Sequence, residues 1–138
     1  MSFLKRLVPL KAKMNLSLEN GIQVGVTKGT ATLSSDDEFK AEEMRMELKI
    51  WENYQTTKRV RDSKGNYRNE TVTTSLTHHD EKIPICGSFE LCKGQQKVVP
   101  LEVKIPQYSI VYHGPLHYSL KAVANVKGRP DVVEEVKM

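Results

Sequence analysis

Residues 98–106 read VVPLEVKIP and residues 112–131 read YHGPLHYSLKAVANVKGRPD. In the first, Val99, Leu101, Val103 and Ile105 share one side of an extended segment and Glu102 and Lys104 take the other, the period of a half-buried strand. In the second, Tyr118, Leu120, Ala122, Ala124 and Val126 alternate with Ser119, Lys121, Val123 and Asn125. Pro100 cannot donate to a ladder and belongs at an edge or bulge, and Pro106 ends its strand. Two long antiparallel-type strands therefore close the domain.

Working outward, Met14, Leu16 and Leu18 alternate with polar neighbours, Asn20 and Gly21 mark a turn, and Ile22, Val24 and Val26 resume the alternation. Ala31 and Leu33 continue on the opposite parity, which predicts a β-bulge near Gly29. Met44, Leu48 and Trp51 fit helical spacing. However, Met44, Met46, Leu48 and Ile50 alternate without fault with Arg45, Glu47, Lys49 and Trp51, and period 2 has the more matches. Residues 53–70 are polar and hold Asp62, Gly65 and Asn66, as in a hairpin loop or projecting ribbon. Val72, Thr74 and Leu76 form a weaker strand; Ile83, Ile85, Phe89 and Leu91 form the next, and KGQQ turns the chain into VVPLEVKIP. The whole is all-β, about seven or eight strands at short intervals without a convincing helix, the profile of a Greek-key, immunoglobulin-like antiparallel β-sandwich.

With 138 residues, 38% of them hydrophobic, the chain can bury a core without disulfide or metal staples. The opening MSFLKRLVPLKAK has apolar runs broken by Lys5, Arg6 and Pro9, so no secretory leader is expected. Cys86 and Cys92 do not make a disulfide framework. On one continuous strand they would lie about 20 Å apart, and only a turn at Gly87 and Ser88 could join them. Reduced cysteines and a cytoplasmic location are the expectation.

The net charge of +4 is mild but segregated. Residues 1–13 carry Lys5, Arg6, Lys11 and Lys13 with no acid, and residues 56–68 carry Lys58, Arg59, Arg61, Lys64 and Arg68 against Asp62. Each segment is +4 and the remainder is −4. Such segregation favours a partner contact through two basic elements, though a solvated loop and tail, the plainer reading, explain it too.

The order of segments resembles the arrestin-like family. GTATLSSDDEFKAEEMRMELKIWE is similar to its Gly-containing strand followed by a strand of alternating apolar and charged residues. ICGSFELCKGQQKVVPLEVKIP resembles its next hairpin and IVYHGPLHYSLKAVANVKGRPD its closing strand, while MSFLKRL is similar to the start of bacterial sporulation-control proteins of the arrestin clan. The resemblance spans about residues 13–131 and implies an immunoglobulin-like sandwich used for protein recruitment rather than catalysis. It divides the chain into a basic, apolar arm at 1–12 and one sandwich at 13–138. Family members commonly have two sandwiches, so GRPD marks where a second would begin, and a single-domain binding module is expected rather than a two-domain sensor. Arg129 and Asp131 are the nearest candidates for the charge cluster by which visual-type arrestins sense phosphorylated receptors, a role that the sequence does not carry over.

No Gly-x-Ser-x-Gly elbow, phosphate-cradling loop or HExxH is present, so no enzyme and no cofactor are expected. His78 and His79 are adjacent and would face opposite sides of a strand. With Cys86, Cys92, Asp80 or Glu81 brought near they offer zinc ligand types, against the plainer reading of loop histidines. His113 and His117 flank a Gly-Pro break. Asp36, Asp37, Glu38, Glu42 and Glu43 offer oxygen ligands for calcium but lack the spacing of an EF-hand loop, and a solvated turn accounts for them.

Tyr54 and Tyr67 beside the basic loop make too thin a platform for nucleic acid. The arm with Phe3, Leu4, Leu7 and Val8 beside Lys5, Arg6 and Lys11 could dock on an anionic membrane, or pack on its own sandwich. The leading expectation is an adaptor. It binds a protein partner through a sheet edge and the basic residues Lys58, Arg59, Arg61, Lys64 and Arg68, and the same edges could pair two copies.

Overall fold

A computed structural model describes residues 11–112 and 114–138. Eight strands follow in chain order: β1 (Ala12–Leu18), β2 (Gly25–Ser35), β3 (Phe39–Arg61), β4 (Tyr67–Cys86), β5 (Phe89–Leu91), β6 (Gln96–Ile105), β7 (Leu116–Val126) and β8 (Val132–Lys137). They form two antiparallel sheets, one ordered β1-β2-β6 and the other β4-β3-β7-β8, with β5 pairing the start of β3 beyond the end of β4. The described chain is an all-β sandwich.

Period-2 alternation sets which side chains meet between the sheets. Met44, Met46, Leu48 and Ile50 of β3 are fully buried, as are Leu120, Ala122 and Ala124 of β7. Facing them are Met14 and Leu16 of β1, Ala31 and Leu33 of β2, and Val99, Leu101, Val103 and Ile105 of β6. Removal of each large side chain from water stabilises the fold by roughly 1.5–3 kcal/mol. The strand reading of 39–51 is therefore the observed one. Pro100 sits on β6, an edge strand, where its missing donor is tolerated.

The structure departs from the sequence reading in three places. First, β2 has no bulge at Gly29: its ladders with β1 and β6 run without a register shift. The parity changes earlier, in the turn, so Ile22 is buried while Val24 and Val26 are exposed and Thr27 begins the inward row. Thr27 earns that position because its Oγ1 both donates to Gln23 O and accepts from Gln23 N, each at 2.9 Å. Gly29 is required by proximity instead, since a Cβ there would lie 2.3 Å from the Ser17 carbonyl oxygen.

Second, residues 67–86 form one strand, not two, because β3 supplies a continuous partner from Arg61 back to Met44. Third, the bulges lie on the β3 ladders. One shift separates Ile50, paired with His79, from Trp51, paired with Thr77, which leaves His78 as the extra residue.

Candidate interaction site

Strand β7 last pairs with β3 at Glu52, opposite Leu116. From Asn53 to Arg61, β3 has β4 alone for a neighbour, so the two strands leave the sandwich as a ribbon about 30 Å long. A three-residue loop closes it. Gly65 N donates to Asp62 O at 3.1 Å, Asp62 N donates to Asn66 O at 2.8 Å, and Gly65 takes φ +84°, the type I turn with a glycine bulge. Asp62 Oδ1 accepts from Lys64 N and Asn66 N, each at 2.9 Å, so the one acid of residues 56–68 is engaged by the turn itself.

The ribbon brings together all five predicted cations. Lys58, Arg59 and Arg61 stand on β3, Lys64 in the turn and Arg68 on β4, and all are exposed. The Arg59 guanidinium lies 4.3 Å from the Tyr67 ring centroid and that of Arg61 5.9 Å, so both arginines contact one aromatic ring. Arg68 pairs with Glu70 at 2.6 Å, and Lys58 stands opposite Glu70 in the ladder. Two acids against five cations leave the tip basic.

The ribbon is anchored by a residue absent from the candidates above. Glu52 continues the inward row of Met44, Met46, Leu48 and Ile50, and its side chain is 0% exposed. Its Oε2 accepts from Val111 N at 2.9 Å and contacts His78 Nε2 at 3.1 Å, while Oε1 accepts from Tyr112 N. Burial pushes the carboxyl up, but the two backbone donors and His78 outweigh it and hold Glu52 below its ordinary value. The segment after β6 is thereby fastened to the ribbon base, where Tyr112 stacks on Tyr54 with centroids 3.9 Å apart. The signal was present in the sequence as an acid at an apolar phase position.

His78 and His79 do not diverge as an unbroken strand requires. With His78 bulged, both rings approach Tyr108, at 5.4 and 5.9 Å between centroids, and His79 Nδ1 lies 2.8 Å from Tyr108 Oη. Cys86 is at the far end of β4, about 23 Å along the strand from His79, and Cys86 and Cys92 are both free thiols. No group of three or more His, Cys, Asp or Glu side chains converges as a metal site among the described residues. His117 stacks on Trp51 at 5.4 Å, while His113 lies outside the described residues.

Of the acidic turn, Asp37 bonds Arg129 Nη1 at 3.0 Å, with the arginine side chain only 7% exposed. Asp131 lies 3.8 Å from Arg45, which also binds Glu43 and Glu47. Arg129 and Asp131 are thus tied to different partners. Of the basic arm, Lys5 and Arg6 lie outside the described residues; Lys11 is exposed, its carbonyl accepting from Asp36 N at 2.9 Å. No helix among the described residues is long and apolar enough to cross a membrane.

The described strands form an antiparallel β-sandwich, and its likeness to a solved structure makes the fold arrestin-like. Among solved structures, the chain superimposes on Spo0M, a sporulation control protein from Bacillus subtilis, with a TM-score of 0.66 at 16% identity. The match covers 95% of this chain and 49% of Spo0M, so the chain spans about half the length of that relative. R. palustris CsgH aligns at a TM-score of 0.37 and 8% identity over 92% of this chain and 90% of its own. No protein-family model and no curated protein matches the chain.

Proposed function

We propose that this chain is a non-enzymatic, arrestin-like adaptor of the cytoplasm that recruits a protein partner by holding an acidic segment against the cations of the β3–β4 ribbon. The observation that carries this reading is the concentration of Lys58, Arg59, Arg61, Lys64 and Arg68 on a ribbon projecting from the sandwich, with Asp62 turned to the service of its own loop. Tyr67 beneath Arg59 and Arg61 restricts their rotamers, which lowers the ordering cost of binding. Such a surface governs encounter rate and selectivity for acidic partners more than raw affinity.

Pull-down from native extract tests the reading. Wild-type chain is expected to retain a partner that Lys58→Glu, Arg59→Glu and Arg61→Glu together release, with retention weakening as salt rises. Identical protein sets on both baits would remove the ribbon cations from the function.

A further inference from the structure

The ribbon also has an unpaired edge. Each strand at the margin of the sandwich carries a feature that discourages strand addition, with one exception. Strand β6 has Pro100 at its middle; β8 is six residues long and bears Glu134, Glu135 and Lys137; β5 is only three residues long; β1 carries Lys13, with Lys11 just before it, and packs beside β8. The free edge of β3 in the ribbon carries Lys58, Arg59 and Arg61. The outer edge of β4 between Asn69 and Thr77 has no proline, lysine or register shift, and its one charge is Glu70. That segment, NETVTTSLT, is rich in the β-branched residues that strands favour.

The bonding phase of this edge follows from the turn. Asp62 and Asn66 form a hydrogen-bonded pair, so alternation directs the N–H and C=O groups of Arg68, Glu70, Val72, Thr74 and Leu76 toward β3. Those of Tyr67, Asn69, Thr71, Thr73, Ser75 and Thr77 therefore point outward.

We infer that this edge pairs, antiparallel, with the same edge of a second copy of the chain about a two-fold axis at Val72. In that register every outward-bonding residue meets another: Thr71 faces Thr73 of the second copy, Asn69 faces Ser75 and Tyr67 faces Thr77. Arg68 falls opposite Leu76 and Glu70 opposite Thr74, so no like charges oppose one another. The charges beyond the regular edge are complementary. The turn of one ribbon reaches the base of the other, which brings the exposed cation Lys64 beside the exposed acids Asp80 and Glu81 of the second copy. Because β4 is the sheet's edge along its whole length, the sandwich bodies lie at opposite ends of the paired ribbons. The pairing is isologous and closes at two copies.

Sedimentation equilibrium over a wide concentration series tests this. The expected result is a species of twice the 15.7 kDa chain mass that dissociates on dilution. Thr73→Pro deletes an outward donor without touching the β3 ladder and is expected to return the chain to monomer with its circular dichroism spectrum kept. Asp80→Lys is expected to weaken the dimer and Asp80→Lys with Lys64→Asp to restore it, a rescue that does not depend on Thr73→Pro folding. A monomeric wild-type chain at every concentration overturns the second copy as occupant and leaves the edge to an extended peptide of another protein. A dimer indifferent to both Thr73→Pro and the charge swap overturns the register.

Discussion

Glu52 Oε2 lies 3.1 Å from His78 Nε2 at a point where neither side chain is more than 10% exposed. The contact joins a residue at the end of the inward row of β3 to the bulged residue of β4, at the root of the ribbon. The same carboxylate takes the N–H groups of Val111 and Tyr112, so one buried charge fastens three segments. Glu52→Ala leaves three donors without their acceptor, and buried donors without partners are costly. Its melting temperature is expected to fall further than that of Glu135→Ala, a partly exposed carboxylate. Hydrogen exchange is expected to speed at the Val111 and Tyr112 amides specifically; unchanged exchange there would dissociate the loop from Glu52.

Acid should loosen the same joint. Glu52 is held below its ordinary value, and so is Glu135, which accepts from Ser119 Oγ at 2.9 Å and faces Lys137 and Lys121. A depressed folded value means that the unfolded chain binds more protons across the window. The stability from these groups is therefore present above the ordinary carboxylate value of about 4.3 and is lost as pH falls through the lower folded values. Melting temperature followed downward from pH 6 is expected to drop in that acid window, and less steeply in Glu52→Gln.

Gly29 and Gly87 form a matched pair for a packing test. A Cβ at Gly29 would sit 2.3 Å from the Ser17 carbonyl oxygen and 2.9 Å from a Leu18 methyl, whereas one at Gly87 meets nothing within 4 Å. Gly29→Ala is expected to cost about 1–3 kcal/mol through forced separation of β1 and β2. Gly87→Ala is expected to stay within about 0.5 kcal/mol of wild type in urea unfolding.

Arg129, nearly buried and bonded to Asp37, contributes through a charge-assisted hydrogen bond. Arg129→Ala is expected to lower stability by about 1.5–3 kcal/mol, and Arg129→Lys to recover part of that. Equal stability of all three chains in chemical denaturation would show the pair to be inert.

Most of the sandwich was legible because strand alternation registers burial directly. Met44 to Ile50 alternate faithfully and their inward row is core, as is the inward row of Tyr118 to Val126, although Ser119 and Val123 on the other face of β7 are covered as well. Features set by tertiary neighbours escaped. The long β4 looked broken because Val72 to Leu76 lie on a ribbon exposed on both faces and carry little apolar signal, and the bulge at His78 arises from β3 pairing. Gly29 was misread because proximity and bulging call for the same residue. The basic cluster was visible as composition, but Glu52 was missed because a lone acid in an apolar row reads as a strand end until the donors of Val111 and Tyr112 are seen.

Site-specific photo-crosslinking from Ser63, exposed in the turn of the ribbon, tests the adaptor function most directly. A photoreactive residue at Ser63 is expected to yield, in native extract, an adduct with a foreign protein that disappears with Lys58→Glu, Arg59→Glu and Arg61→Glu. The same residue at Lys104, on the exposed face of β6, is expected to give no such adduct. A foreign adduct from Lys104 and none from Ser63 would contradict recruitment through the ribbon.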